Sequence, residues 1–418
     1  MPDLQMFLLL STVISLIIWT VLVFFWGQFW RCNQYLDANS SQLPDKEGRE
    51  RGKELSVCAV IPARNEAEVL PQTLRSLLQQ TYPITAILVD DGSSDGTATV
   101  AQEVAEALGV EVASVENSSQ NISRVLEKER SRLYILSSQP LPAGWTGKLW
   151  ALEQGTRYAS TLNPPPDYLL LTDADIDRVP GNLQSLVTKA QEEALNLVSL
   201  MVLLRCQSFW EKLLVPAFIF FFQKLYPFPW VNNPHKSTAA AAGGCILIER
   251  DALERIGGIE RIKNALIDDC ALAKAVKSSH PQSKIWLGLT RSAYSLRPYD
   301  SLSTIWDMVA RTAFTQLNYS PGLLLGTLLG MILVYLVPPV GAIWGSWLGN
   351  WSVAIAGFSA WFLMSFAYFP TVRLYRGSPF WTLALPMIAL LYLLMTLDSA
   401  VRHWQGRGGS WKGRVYSK

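Results

Sequence analysis

Apolar and polar positions alternate between 55 and about 300 in a way that predicts strands followed by helices. The short apolar runs Leu55–Ile61, Ile84–Val89 and Tyr168–Leu171 predict buried strands. Between them, the apolar positions from Leu70 to Leu78 and those of Ala98–Leu108 have helical spacing. This alternation predicts an α/β fold, with a mostly parallel sheet and helices packed on its faces.

A longer apolar stretch, Phe7–Trp30, has the length of a bilayer crossing and contains no charged residue. A cleaved signal peptide is the alternative, but its apolar core would be shorter and would follow a basic residue. Here Asp3 precedes the stretch and no Lys or Arg does, so we interpret it as a retained anchor. Basic residues follow from Arg31 onward, which predicts a cytoplasmic location for the next part of the chain.

Three more apolar stretches lie near the C-terminus: Leu323–Ile343, Val353–Phe369 and Phe380–Leu397. The first two predict a hairpin of transmembrane helices, after which Arg373 returns to the cytoplasmic side. If the third stretch also crosses, the basic tail lies outside, against the charge rule. Its topology, crossing or re-entrant, is therefore open.

The segment from Phe209 to Trp230 is rich in aromatic residues but is interrupted by lysines and prolines. It predicts a segment that lies in the membrane interface, with a buried core helix as the alternative.

The predicted parts of the whole chain are a membrane anchor (1–32), a linker (33–54), an α/β domain (55–300) that includes the interfacial segment (209–230), an interfacial region (301–320), membrane helices (321–400) and a basic tail (401–418).

Composition supports this division and excludes other classes of protein. Only 17% of the residues are charged, against about a quarter in soluble proteins, and 50% are hydrophobic. The formal net charge of +2 gives no reason to expect nucleic acid as a partner. The five cysteines are scattered without a CxxC pair, which argues against a zinc site or a disulfide framework.

Polar clusters follow the first two predicted strands, where ligands bind in open α/β sheets. Arg64, Asn65 and Glu66 follow the first strand, and Asp90 and Asp91 end the second. Neither cluster is a glycine-rich phosphate loop. Carboxylates in these places can accept hydrogen bonds from a base or a ribose, although a turn that caps the next helix is the simpler interpretation.

The third strand end carries a possible metal site. Asp173 and Asp175 are separated by one residue, so both can reach one Mg²⁺ or Mn²⁺ ion that also binds phosphate oxygens. Such an ion offsets the charge that develops on a diphosphate leaving group. Lys148 lies near a predicted helix start and can also meet phosphate. A capping turn and a solvent-exposed lysine are the alternatives.

The second half of the domain offers a possible acceptor site and base. Gly243 and Gly244 end a stretch of small residues, where another molecule can approach the backbone closely. Asp268 and Asp269 stand at a predicted helix start. A carboxylate there can take a proton from a hydroxyl, and two adjacent carboxylates raise each other's pKa. An N-terminal cap pair is the alternative.

Taken together, these motifs resemble the family 2 glycosyltransferases with the GT-A fold. The resemblance covers most of 55–297 and rests on IPARNE, VDDGSSDGT, GWTGKLWALEQG, TDAD, AGG and IDD, in the family's order. Within that family, FWEKLLVPAFIFFFQKLYPF, ALIDDCALAKAVK and MVARTAFTQL are similar to the bacterial hopene-associated glycosyltransferases. The implied fold is a GT-A nucleotide-diphospho-sugar transferase domain with N-terminal and C-terminal transmembrane helices.

The resemblance also implies roles for individual residues. Asp269 would be the catalytic base, with Asp268 in the place of the family's usual Glu, and Asp173 and Asp175 would hold the metal, with Asp175 the more direct ligand. Arg311 stands where the arginine of the absent QxxRW motif would approach the leaving group, and Gly243 and Gly244 would lie at the acceptor. The residues implied for the nucleotide sugar are Pro62, Arg64, Asn65, Glu66, Asp90, Asp91, Lys148 and Asp173.

We therefore expect an inverting enzyme of a bacterial inner membrane, with a cytoplasmic domain, a divalent cation and a nucleotide-diphosphate sugar donor. Because QxxRW is absent, transfer of one sugar to a lipid, hopanoid-like acceptor is favoured over processive synthesis. A polyprenyl-phosphate sugar synthase and a non-catalytic scaffold are the alternatives. The sequence does not identify the sugar, the acceptor or the oligomeric state.

Overall fold

The computed structural model describes residues 2–38, 55–115, 131–407, 410–411 and 414–415. The linker predicted for 33–54 lies outside the described residues from position 39 onward, and so do positions 408–409, 412–413 and 416–418 of the basic tail. The described residues contain the α/β domain and all four apolar stretches.

The centre of the α/β domain is a nine-stranded sheet with the order β3-β4-β2-β1-β5-β8-β7-β9-β6. Its strands are β1 (Val57–Ala63), β2 (Thr85–Asp90), β3 (Glu111–Val115), β4 (Arg132–Ser137), β5 (Tyr168–Leu171), β6 (Ile176–Arg178), β7 (Leu197–Leu203), β8 (Ile246–Glu249) and β9 (Ile285–Ser295). The first five strands in this order are parallel, whereas β8 and β6 pair antiparallel with their neighbours. The predicted mostly parallel α/β fold is confirmed.

Alternating residues of β1 pack into two separate cores, one on each face of the sheet. Val57, Ala59 and Ile61 belong to one core, and Cys58 and Val60 belong to the other. Such a strand is buried on both faces, which explains why its sequence reads as a continuous apolar run.

The helices of this domain cover both faces of the sheet. Helices α2, α3 and α5 contribute to the core that contains Val57, whereas α4 and α9 contribute to the core that contains Cys58. The helices up to this point are α1 (Pro2–Phe24), α2 (Leu70–Leu78), α3 (Thr97–Ala107), α4 (Gly147–Thr161), α5 (Asn182–Glu193), α6 (Phe209–Leu225), α7 (Phe228–Val231), α8 (Arg250–Arg255) and α9 (Asp268–Ser278).

Helices also dominate the C-terminal part of the chain. They are α10 (Leu302–Ala310), α11 (Ala313–Gln316), α12 (Pro321–Met331), α13 (Val337–Trp347), α14 (Trp351–Leu374) and α15 (Leu385–Trp404). A π-helical segment, Ile332–Leu336, joins α12 to α13, and a 3₁₀ segment, Pro379–Ala384, precedes α15.

Four helical segments among the described residues are long and apolar enough to cross a membrane. They are Gln5–Phe24, Pro321–Trp347, Trp351–Leu374 and Pro379–Trp404. The last of these is 26 residues long, because α15 continues seven residues beyond the apolar stretch that ends at Leu397. Its length therefore suffices for a full crossing.

The aromatic segment predicted for 209–230 forms α6 and the short helix α7. A capping box between Ser208 and Glu211 starts α6, and Pro216 lies inside it. Leu213, Leu214 and Phe220 pack with residues of α14 and α15 in one buried cluster. Helix α6 thus joins the apolar helices to the α/β domain, while its depth in a membrane stays a prediction.

Candidate active site

The sheet order brings the polar clusters of the sequence to one edge. Strands β2 and β5 both pair with β1 in parallel, so the carboxyl ends of the three strands are neighbours. The residues that follow Ala63, Asp90 and Leu171 therefore meet above this edge, where ligands bind in open α/β sheets.

The loops after β1 and β2 are tied together by side chains. Arg64 donates from Nη1 to the main-chain oxygen of Asp91, and the same nitrogen lies 3.6 Å from Asp91 Oδ2. Asn65 has a positive φ of 51°, and its Oδ1 accepts a 2.9 Å bond from the Ser94 N–H. We call Arg64, Asn65, Glu66, Asp90 and Asp91 the nucleoside cluster, after the role that the family resemblance implies for them; the two loops that carry these residues contact each other.

The loop that contains Asp173 and Asp175 is fixed to β8. Thr172 Oγ1 donates to the Gly244 carbonyl at 2.9 Å and accepts from Arg178 Nη2 at 2.6 Å. This contact arises because β8 runs antiparallel beside β5, which places Gly243 and Gly244 next to the aspartates.

Lys148 stands at the centre of the acidic residues. It is the second residue of α4, and its Nζ lies 2.9 Å from Asp173 Oδ1 and 3.4 Å from Asp268 Oδ2. Burial disfavours the charged ammonium, but the carboxylates of Asp173 and Asp268 outweigh that cost and raise the pKa of Lys148. We call Lys148, Asp173, Asp268, Asp269 and Gly243 the transfer cluster; these residues line a common cleft of about 330 Å³.

Asp269 is a partly buried carboxylate of the transfer cluster, and two backbone N–H groups hold it. Gly243 donates to Oδ2 at 2.9 Å, and Cys270 donates to Oδ1 at 2.7 Å. Burial raises the pKa of Asp269 to about 6, and the neighbouring Asp268 adds to this rise. Lys148 and the two backbone bonds oppose it. Each carboxylate oxygen has a second lone pair beyond the one that accepts the backbone hydrogen bond, so Asp269 can still accept a proton from a bound molecule.

Arg297 is a residue of this site that the sequence analysis missed. Its Nη2 lies 2.8 Å from Glu66 Oε1, and its Nε lies 3.4 Å from Asp175 Oδ2. Although burial opposes its charge, Asp175 and Glu66 raise the pKa of Arg297. Ser295 also donates to Asp175 Oδ2, at 2.7 Å. Arg297 thus connects the nucleoside cluster with the predicted metal residues.

The two predicted metal residues differ in their surroundings. Asp173 is one-third exposed and faces Lys148, whereas Asp175 is nearly buried and uses Oδ2 for both of its side-chain contacts. Neither of these contacts involves Oδ1 of Asp175. Among the described residues no group of three or more His, Cys, Asp or Glu is arranged to hold a metal. Two carboxylates that share a cation with donor phosphates fit Mg²⁺, which is usually held in this way.

Arg311, which was predicted to approach the leaving group, ends α10. It lies near Tyr299, whose pKa is raised by burial and lowered by Arg297 and Arg311. Asp175 and Asp173 also raise the pKa of Tyr299. The side chain of Arg311 is outside the cleft that the transfer cluster lines.

A second missed contact connects α6 with the transfer cluster. Tyr226, which follows α6, accepts a 2.7 Å bond from Gln316 of α11. Burial raises the pKa of the Tyr226 hydroxyl, and the nearby Cys270 and Asp269 contribute to that rise. The end of α6 therefore lies beside the predicted base, in a region that the sequence analysis assigned to the membrane interface.

Comparison with known proteins gives a family match for the part of the chain that contains the nucleoside cluster and three residues of the transfer cluster, Lys148, Asp173 and Gly243. Residues 58–257 match the family model described as Glycosyl transferase family 2. The match ends before Asp268 and Asp269, so it does not include these two residues.

Among curated proteins, a 4,4'-diaponeurosporenoate glycosyltransferase of Staphylococcus haemolyticus is 28% identical over 144 residues, which are 34% of this chain and 30% of that protein. Uncharacterized protein MJ0544 of Methanocaldococcus jannaschii is 28% identical over 134 residues, or 32% of this chain and 46% of that protein. The chain thus spans less than half the length of the curated relatives it matches.

A solved structure with a similar backbone is the mannosyltransferase PcManGT of Pyrobaculum calidifontis, in complex with GDP-Man and Mn²⁺. The similarity covers 94% of this chain and 99% of that chain, at 17% identity and a TM-score of 0.47.

Proposed function

Because residues 58–257 belong to glycosyl transferase family 2, we propose that the chain moves one sugar from a nucleotide-diphosphate sugar to a lipid acceptor, with inversion. The predicted family and the predicted class of enzyme are thereby confirmed, whereas acceptor, stereochemistry and metal belong to the proposal. The observation that carries it is Asp269, a partly buried carboxylate that is held by two backbone N–H groups and has a raised pKa beside Lys148, Asp173 and Asp268.

In the proposed reaction, Asp269 accepts the proton of the acceptor hydroxyl. The hydroxyl oxygen then attacks the anomeric carbon from the face opposite the diphosphate, and the bond from that carbon to the diphosphate oxygen breaks. A pKa of about 6 keeps Asp269 mostly ionised at pH 7 while leaving it more basic than an ordinary aspartate. The backbone N–H groups of Gly243 and Cys270 fix the orientation of both oxygens.

Two cationic side chains are placed to stabilise the departing diphosphate. Lys148 projects from the first turn of α4, where the helix dipole also favours an anion. Arg297 lies between Glu66 and Asp175, and it presents a planar guanidinium suited to phosphate. A divalent cation held by Asp173 and Asp175 would neutralise further charge on the leaving group.

A lipid acceptor is supported by the position of α6. Its residues Leu213, Leu214 and Phe220 pack among the apolar helices, and Tyr226 at its end lies near Asp269. Phe209 and Leu225 are more than half exposed on the same helix, which favours a membrane interface. The S. haemolyticus relative is named for 4,4'-diaponeurosporenoate, and a non-sugar acceptor agrees with that name. We propose a hopanoid-like alcohol.

In this proposal the enzyme is a multi-pass membrane protein, which is supported by the four helical segments that are long and apolar enough to cross a membrane. Arg31 follows the first segment and Arg373 ends the third, so the charge rule favours a cytoplasmic α/β domain in a bacterial inner membrane. Nucleotide-sugar donors are cytosolic, which agrees with this orientation.

The proposal can be tested with the purified chain in lipid vesicles. Release of nucleoside diphosphate from a nucleotide sugar is measured with and without a hopanoid alcohol in the vesicles. We expect release that depends on the alcohol and a neutral glycolipid product. Equal release in both kinds of vesicle would show that the lipid is not the acceptor.

The second candidate is a polyprenyl-phosphate sugar synthase, because an acceptor phosphate could meet the same cations, Lys148 and Arg297. Such an acceptor needs no general base, so Asp269→Asn would retain activity. Its product would be an anionic sugar phospholipid that mild acid cleaves. Two backbone N–H groups hold Asp269 in one orientation. A carboxylate that is fixed in this way favours the first candidate, in which Asp269 takes the proton of a hydroxyl acceptor.

A further inference from the structure

A second cavity lies where two of the apolar helices meet the α/β domain. It is an open recess of about 900 Å³, a volume that includes space continuous with the solvent. Arg31 follows α1, Arg373 lies in the last turn of α14, and Arg291 comes from β9. None of the residues that line this cavity also lines the active-site cleft. We call it the arginine cavity.

The charge of the arginine cavity is positive. Within the described part of the chain, Arg31, Arg291 and Arg373 form no salt bridge with a carboxylate. The cavity contains one acidic residue, Asp37, whose Oδ1 accepts bonds from the Arg291 N–H at 2.6 Å and from Thr290 Oγ1 at 3.2 Å. The cavity thus has three guanidinium groups and one carboxylate, which already accepts two hydrogen bonds, so hydrogen-bond donors remain for an anion. Planar guanidinium groups suit phosphate.

An exposed row of phenylalanines extends from this cavity along α14. The exposed fraction of the residue is 51% for Phe358, 68% for Phe362, 45% for Phe366 and 39% for Phe369. Their spacing of four, four and three residues puts them on one face of the helix. Phe369 also lines the arginine cavity, so the apolar row and the cationic group are continuous.

We propose that the arginine cavity binds the phosphate headgroup of an anionic phospholipid, whose acyl chains lie along the phenylalanine row. Basic pockets at the cytoplasmic ends of membrane helices are suited to such headgroups. The ligand is distinct from the glycosyl acceptor, because it occupies a separate cavity. The inference rests on one part of the proposed function, namely that α1 and α14 cross the membrane.

The test measures lipid binding to the full chain in detergent by native mass spectrometry. Phosphatidylglycerol and phosphatidylcholine with the same acyl chains are titrated separately, and inorganic phosphate is then added as a competitor. The variants are Arg31→Gln combined with Arg373→Gln, and Arg291→Gln alone. Arg376→Gln is the matched control, because Arg376 is exposed just beyond α14 but does not line the cavity.

We expect phosphatidylglycerol to bind more tightly than phosphatidylcholine. Each lost arginine should weaken the binding of phosphatidylglycerol about fivefold, so the affinity of the double variant should fall about 25-fold and that of the control should change little. Equal binding of both lipids would overturn the proposal. So would unchanged phosphatidylglycerol binding by both the double variant and Arg291→Gln, or a loss of binding in Arg376→Gln equal to that in the other variants. Displacement of the lipid by equimolar inorganic phosphate would also overturn it, in favour of a soluble phosphate site.

Sugar transfer is measured on the same preparations, which separates this inference from the proposed function. A wild-type protein that transfers no sugar but prefers phosphatidylglycerol would refute only the proposed function. A protein that transfers sugar to a lipid but binds both phospholipids equally would refute only the lipid site. Thermal unfolding of each variant shows whether the substituted protein is folded.

Discussion

The replacement Asp269→Asn removes the proposed base while keeping its size and most of its contacts. General-base catalysis contributes about 10²–10⁴-fold, so we expect the turnover rate to fall by that factor, or about 2.7–5.5 kcal/mol in the barrier. Affinity for the nucleotide sugar should change little, because the proposed contact of Asp269 is with the acceptor.

The structure also predicts the effect of Asp269→Asn on stability. An amide has one acceptor oxygen, so either the Gly243 or the Cys270 N–H loses its partner. The replacement also removes a buried charge, whose cost is seen in the raised pKa of Asp269. Because the two effects oppose each other, the free energy of unfolding should change by no more than about 2 kcal/mol.

The assay follows transfer of a labelled sugar to lipid between pH 5 and 8, a range that spans the expected titration. Protonation removes the base, so the wild-type rate should fall as the pH drops through about 6, and the residual rate of Asp269→Asn should not follow this fall. Activity of a folded Asp269→Asn protein within about tenfold of the wild type would refute the assignment of the base.

Three further predictions concern Asp268, Gly243 and Asp175. Because Asp268 raises the pKa of Asp269, Asp268→Asn should shift the acid limb of the pH–rate profile below about pH 6, and an unshifted limb would contradict this. A Cβ at Gly243 would lie 3.2 Å from Lys148 Nζ and 3.5 Å from Asp269 Oδ2. Gly243→Ala should therefore slow transfer about tenfold. An unchanged rate would show that the transfer cluster tolerates the methyl group. If Asp175 holds a cation, Mn²⁺ should raise the melting temperature of the wild type but not that of Asp175→Asn. EDTA should then abolish sugar transfer. Full activity in EDTA would exclude a metal requirement.

The strands of the parallel half were predictable because each is an apolar run with a clear end. The prediction Tyr168–Leu171 coincides with β5. For β1 the prediction ended at Ile61, because proline cannot donate to a neighbouring strand. The strand continues to Ala63, since its pairing with β5 ends at Val60 and beyond it β1 pairs with β2 alone. Proline is tolerated there because one side of the strand is unpaired.

The second half of the sheet was less predictable, because its pairings join strands that are distant in sequence. Strand β8 lies between β5 and β7, and β6 pairs with the end of β9. No local pattern specifies that order. The sequence still placed Gly243 and Asp269 in one site, through the family resemblance, and the structure brings them within hydrogen-bond distance.

Arg297 was missed because the sequence analysis examined the strand ends of the first half only. Ser295 ends β9, an apolar strand of 11 residues, and Arg297 follows two positions later. The same reasoning that selected Asp91 and Asp173 would have selected this arginine. Its contacts with Glu66 and Asp175 are not visible in the sequence, because they depend on the pairing of β9 with β6 and β7.

The central claim, one sugar moved from a nucleotide sugar to a lipid, is tested most directly by the mass of the product. Membranes that contain the wild-type chain or Asp269→Asn are incubated with a panel of isotopically labelled nucleotide sugars, and the lipid extract is analysed by mass spectrometry. We predict one lipid whose mass rises by a single labelled sugar with the wild type and not with Asp269→Asn. Label in a polymer or in no lipid at all, or the same lipid product from both proteins, would contradict the account.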